Sequence, residues 1–171
     1  MKSYESLIKS IPNFPIQGVL FRDVTPLLQS AEAFEQVAID FGQIINLDQV
    51  DIFVGIESRG FIFAAQLAAY YKKGFLPLRK AGKLPPPTIR ESYQLEYGEA
   101  TLEIAPALNK DKKINVVICD DVLATGGTLK AAKTLCEKAG YHIQDILVLI
   151  NLTFLNDMNF NNQKIKSLIN Y

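Results

Sequence analysis

The segment Val116-Val-Ile-Cys-Asp-Asp-Val-Leu-Ala-Thr-Gly-Gly-Thr128 joins an unbroken apolar run to two adjacent carboxylates and then to a glycine turn. The run Ile114 to Cys119 has the character of a central parallel strand covered on both faces. Thr128 to Lys138 resumes helical character and stops at Gly140, so the segment reads as strand, turn and helix. Glycines let backbone N–H groups turn toward one point, and the following helix N-terminus adds its dipole, which together make an anion cradle suited to a phosphate. Thr125 and Thr128 can add hydroxyl donors. No Gly-Lys-Ser/Thr follows the glycines, which separates this turn from a Walker loop. Asp120 and Asp121 would repel each other unless something neutral or cationic sat between them, and a sugar diol or a Mg²⁺-bound sugar meets that need. A phosphate on residues 124–128 and a vicinal diol on the acids describe a ribose 5-phosphate. The plain alternative is a buried strand that ends in an ordinary helix N-cap.

Outward from this segment, strand and helix alternate. Ala31 to Asn46 places Phe34, Val37, Ala38, Phe41, Ile44 and Ile45 at helical spacing, Asp51 to Ile56 is a short strand, and Arg59 to Lys72 reads as a mostly buried helix. Phe75 to Leu78 and Asp145 to Leu152 are further strands, and Tyr93 to Ala105 holds one or two around Gly98. The alternation predicts βαβ crossovers and a parallel sheet with helices on both faces, whose ligands bind beyond the carboxyl ends of the strands. Gly82 to Gly98, with Pro85, Pro86 and Pro87, is a long Pro- and Gly-bounded segment of the kind that forms lids.

The whole-chain numbers agree with one domain over residues 1–171: 49% hydrophobic and 21% charged residues, with 18 Lys+Arg against 18 Asp+Glu. Zero net charge argues against a phosphate-driven nucleic-acid binder. The longest apolar stretches fall well short of the roughly 20 residues that cross a bilayer. Cys119 and Cys136 lie in apolar surroundings without a Cys-x-x-Cys partner, and no secretory leader pattern opens the sequence, so a reduced, cytoplasmic protein is expected. His142 is the only histidine and has no ligand cluster at metal spacing. Neutrality conceals a local imbalance, because the six cations from Lys72 to Arg90 have no acid among them. Three of these, Arg79, Lys80 and Lys83, would be costly side by side unless an anion screened them, although a solvated charged turn is the ordinary reading of such a run. Arg59, in Ser58-Arg59-Gly60, can offer a diphosphate a planar fork of donors.

Cys119 to Thr128 resembles the phosphoribosyl-pyrophosphate (PRPP) motif of the type I phosphoribosyltransferases. Phe14-Pro-Ile-Gln-Gly-Val-Leu-Phe-Arg-Asp-Val-Thr-Pro-Leu-Leu28, Glu57-Ser-Arg-Gly-Phe-Ile-Phe63, Arg79-Lys-Ala-Gly-Lys-Leu-Pro85, Tyr93-Gln-Leu-Glu-Tyr-Gly98 and Ile150-Asn-Leu152 extend the likeness toward the members that use adenine. The resemblance implies a type I phosphoribosyltransferase fold, α/β with a central, mainly parallel sheet flanked by helices and a small hood built partly from the N-terminal region. It implies transfer of the 5-phosphoribosyl group from PRPP to adenine with Mg²⁺, in a homodimer that binds neither nucleic acid nor membrane. Asp120 and Asp121 would hold the ribose hydroxyls, and Ala124, Thr125, Gly126, Gly127 and Thr128 the 5-phosphate. Ser58, Arg59, Arg79, Lys80 and Lys83 would hold the pyrophosphate, across a loop that in the family often contains a non-proline cis peptide. Leu20, Phe21 and Arg22, with Val19, resemble the purine pocket, where Phe21 stacks on the base and Leu152 packs its other face. Glu96 would be the catalytic acid over the purine and Tyr97 a lid residue. Ala81 and the three prolines depart from the family's lid pattern, and the tail from Asn156 to Tyr171 carries no interpretable motif. Two rivals share the PRPP motif: a phosphoribosyltransferase for another purine, and a PRPP-sensing regulator.

Overall fold

Along Asn115–Leu123 (β7) neighbouring side chains point to opposite faces of a sheet, as strand geometry requires. Val117 and Cys119 enter one core cluster while Val116 and Ile118 enter another. The computed structural model describes residues 4–95, 98–108 and 112–171. Within them β7 pairs in parallel with Ile52–Ile56 (β3) on one side and His142–Asn151 (β8) on the other. Gly74–Lys80 (β4) continues the parallel set beyond β3. Gly98–Ile104 (β6) and Ile89–Leu95 (β5) then extend it antiparallel. With Lys166–Asn170 (β11) on the other edge, the seven-stranded order is β11-β8-β7-β3-β4-β6-β5.

Ala31–Gln43 (α2) and Gly60–Tyr70 (α3) bury Val37, Phe41, Phe63 and Leu67 on the face of Phe53, Val117 and Leu147. Gly127–Lys138 (α4) covers the other face with Leu129, Ala132, Leu135 and Cys136 against Val54, Ile118 and Val148. Both faces of the central strands are therefore apolar, which is why β3, β7 and β8 read as continuous hydrophobic runs. The Ser30 side chain caps α2 by accepting from the Ala33 N–H at 3.2 Å. At the N-terminus, Lys9–Pro12 (β1) and Leu20–Asp23 (β2) form a separate antiparallel hairpin, followed by the one-turn helix Thr25–Leu28 (α1). A second small hairpin joins Asn159–Phe160 (β9) and Gln163–Lys164 (β10).

The first of the strands expected around Gly98, β5, starts earlier than Tyr93: it pairs with β6 from Ile89↔Ile104 to Leu95↔Gly98 and forms the sheet edge. Two sequence expectations change. The uninterpreted tail supplies the opposite edge strand, with Leu168 and Ile169 buried and Lys166 paired to Asp145. The helix α3, expected to be mostly buried, buries Phe63, Ala64, Leu67 and Ala68 but leaves Ile62 and Tyr70 exposed.

Candidate active site

The carboxyl ends of β3, β4 and β7 meet at one edge of the sheet and line a cavity of about 720 Å³. Asp120 and Asp121 lie within β7, not beyond it, with Asp120 opposite Val148 of β8. Asp120 lines the cavity, and its Oδ1 accepts the Asp121 N–H at 2.9 Å. Burial and the neighbouring Asp121 charge push the Asp120 carboxyl well above the usual carboxylate range. Burial also raises Asp121, although Arg59 opposes this from 2.7 Å, Nε to Oδ2. That contact is an ion pair without a directed hydrogen bond, and Asp121 Oδ2 has no other polar partner.

Beyond the acids the chain turns at Gly126, whose φ of 87° lies in the left-handed region that glycine adopts without steric cost. The turn opens α4 around a small recess of about 80 Å³ lined by Asp120 and residues 122–129. Ala124, Thr125, Gly126, Gly127 and Thr128 thus form one concave wall at a helix N-terminus, the form a phosphate cradle takes.

On the other side of the cavity, Glu57 and Ser58 are joined by a cis peptide at the end of β3. Glu57 receives Lys83 Nζ at 2.6 Å, the Lys80 N–H at 2.9 Å and Arg79 Nε at 3.4 Å. Burial pushes the Glu57 carboxyl up, but these three donors outweigh it and hold the group down to about 2. Beneath the same loop, Glu103 on β6 is wholly buried. Its Oε1 accepts the Lys83 and Leu84 N–H groups at 2.7 and 2.8 Å, and its Oε2 lies 3.1 Å from Arg90 Nε. The cation run therefore has two carboxylate partners that are distant in sequence. The charges at the site are thus cross-paired, Glu57 and Glu103 with the cation run and Asp121 with Arg59.

The family model for the phosphoribosyl transferase domain matches residues 27–153. An adenine phosphoribosyltransferase from Bdellovibrio bacteriovorus is 57% identical over 167 residues, covering 98% of each chain. One from Nitrosopumilus maritimus is 47% identical over 96% of each. This chain belongs to the adenine phosphoribosyltransferase family. Among solved members of the family, the Thermoanaerobacter pseudethanolicus enzyme superposes with a TM-score of 0.87 at 40% identity, covering 97% of this chain and 96% of that one. The Saccharomyces cerevisiae enzyme, complexed with adenine and an imino-altritol bisphosphate, superposes with a TM-score of 0.80 at 32% identity, covering 96% and 94%.

The family's expected purine residues sit near the N-terminal hairpin. Phe21 of β2 is half-buried, with Phe14 edge-on at 5.1 Å and the Arg59 guanidinium carbon 4.8 Å from its ring centre. A cation therefore rests on the face expected to take a base. Leu20 is exposed. The Arg22 side chain donates to Ser10 Oγ, and its guanidinium carbon lies 3.6 Å from the Tyr171 ring centre, so the side chain is engaged within the fold. Leu152 is buried in the core cluster of α2 and α3. Its N–H donates to Leu123 O at 2.9 Å, tying the end of β8 to the start of the phosphate turn. Glu96 and Tyr97 lie outside the described residues. His142 starts β8 on the surface, and both cysteines are buried free thiols.

Sequence reasoning missed five contributors. Glu57 and Glu103 hold the cationic loop. Tyr93 lines the cavity with its hydroxyl 3.4 Å from Thr128 Oγ1. From the tail, Asn156 Nδ2 reaches Ala124 O at 2.8 Å, Leu152 O at 3.0 Å and Asn151 Oδ1 at 3.1 Å, while Met158 packs under Gly126. The only sequence sign of this support is an amide residue in a surface-like tail, since carbonyl partners leave no mark in the sequence.

Proposed function

We propose that this chain transfers the 5-phosphoribosyl group from PRPP to adenine, giving AMP and pyrophosphate. The observation that carries the reading is that Asp120, Asp121 and Thr128 line one cavity together with Arg59 and Lys80, while Asp120 and Thr128 also border the adjoining recess at the start of α4. Displacement at the anomeric carbon builds positive charge on the ribose and negative charge on the departing diphosphate, so the residues must hold both ends in line and neutralise the second. Asp120 and Asp121 take the ribose hydroxyls and residues 124–128 the 5-phosphate. Ser58, Arg59, Arg79, Lys80 and Lys83 take the pyrophosphate. Phe21 stacks on adenine, and the family resemblance assigns the purine proton to Glu96.

No cluster of three or more metal-ligating side chains occurs among the described residues. The hard oxygen donors of Asp120 and Asp121 fit Mg²⁺ carried by the diphosphate and would help to hold it. When bound there, the ion supplies charge neutralisation to the leaving group. The family resemblance implies a homodimer, to which exposed Ile62, Tyr70 and Phe75 offer apolar surface. No helix among the described residues is long and apolar enough to cross a membrane. Two buried free thiols support work in a reducing cytoplasm.

The decisive measurement is pyrophosphate release from PRPP with adenine, hypoxanthine, guanine and xanthine side by side. Adenine should exceed the others by at least roughly 100-fold in kcat/KM. Comparable rates with an oxopurine would overturn the base assignment, and no release with any base would overturn the activity. Replacing Asn156 with Ala should raise KM for PRPP by roughly tenfold, since it frees the Ala124 carbonyl and loosens the cradle. KM for adenine should stay near its original value. An unchanged KM for PRPP would remove Asn156 from the cradle's support.

A further inference from the structure

Glu57 contacts the groups that the proposed function assigns to pyrophosphate: Lys83 Nζ at 2.6 Å, the Lys80 N–H at 2.9 Å and Arg79 Nε at 3.4 Å. Glu57 and Lys80 both line the cavity, so an incoming anion meets the carboxylate that holds these donors and can compete for them there. Glu103 differs from it, being wholly buried and bound to the loop's own backbone at Lys83 and Leu84. The loop therefore keeps its place through Glu103 whether or not Glu57 holds the side-chain cations.

We propose that Glu57 is an exchangeable internal counter-ion, a carboxylate that occupies the diphosphate's donors in the empty site and takes them back when pyrophosphate leaves. Several cations crowded at one strand end would repel one another without an anion. A diphosphate that enters replaces contacts already made, so only the surplus over the Glu57 contacts appears as affinity. Glu57 thus weakens pyrophosphate binding while it keeps the empty site ordered. The inference rests on the assignment of Arg79, Lys80 and Lys83 to the diphosphate.

The test is calorimetric titration of Mg²⁺-pyrophosphate and, separately, AMP into the wild type and the Glu57→Gln, Glu57→Asp and Lys83→Ala variants. Glu57→Gln should bind pyrophosphate about tenfold more tightly and AMP within roughly twofold of wild type. Glu57→Asp, which keeps the charge but is one methylene shorter, should give a smaller gain and serves alone if the Gln variant fails to fold. A gain in affinity for one ligand is not what general loosening of the fold produces. Unchanged or weaker pyrophosphate binding in the folded Glu57 variant, or an equal gain for AMP, overturns the proposal. Lys83→Ala tests the underlying assignment separately: it should weaken pyrophosphate binding, and an unaltered affinity there sinks that assignment whatever Glu57 does.

Discussion

Asp120→Asn should make the protein more stable and nearly inactive. Burial and the adjacent Asp121 raise the Asp120 carboxyl, so holding it ionised in the folded chain carries a cost. A group whose pKa rises on folding destabilises the native state once pH exceeds its unfolded value, which for Asp is about 3.9. Near neutral pH that cost is present, and the isosteric amide removes it while Oδ1 still accepts the Asp121 N–H. The expected gain is about 1 kcal/mol, or roughly 2–4 °C in Tm for a chain of this size. Activity moves the other way, because an ionised carboxylate is the stronger acceptor for sugar hydroxyls and can face Mg²⁺. We expect kcat/KM for PRPP to fall about 100-fold. Thermal melts and initial rates on one preparation decide the matter. A lower Tm with retained activity would mean that Asp120 is ionised and structural in the empty site.

Gly60→Ala should damage both fold and site. A Cβ on Gly60 would stand 2.7 Å from Cys119 O and 2.9 Å from Asp120 Oδ1, and the first of these is backbone of a central strand. Neither β7, paired on both sides, nor α3, packed through Phe63 and Leu67, can yield without repacking. Overpacking of this kind costs about 1–3 kcal/mol, so Tm should drop by roughly 5 °C. The displacement also falls on the backbone that carries Asp120 and on Arg59, the residue next to the inserted methyl. A shift near 1 Å in such groups lowers kcat/KM by about 100-fold. A variant with wild-type Tm and rates would show that α3 approaches β7 less closely than 2.7 Å implies.

The site was legible in the sequence where its chemistry is local. Residues 116–128 hold a strand, two acids and a glycine turn in succession, so both fold class and cradle could be read from one segment. Contributions from distant residues were hidden. Glu57 lies 22 positions before Arg79 and 26 before Lys83, and only the adjacency of β3 and β4 in the sheet joins them. Glu103 meets Lys83 because β6 pairs with β4 in the opposite direction. The start of β5 at Ile89 was hidden because Pro85, Pro86 and Pro87 mark irregular chain, whereas the pairing of Ile89–Leu95 with β6 depends on a partner strand. The tail hid β11 for a similar reason, since its strand character appears only beside β8.

Glu57 and Arg59 stand on either side of Ser58 and reach in opposite directions, the acid toward the cations of β4 and the base toward the acid of β7. In the empty site much of the charge is thus already internally balanced, on a chain whose formal net charge is zero. A distant polyanion meets little net field, so diffusional encounter gains little electrostatic guidance and has little for salt to screen. Attraction develops at short range, as the substrate's diphosphate exchanges places with Glu57. Selectivity among anions then rests on fit to the opened pairs, not on capture from solution.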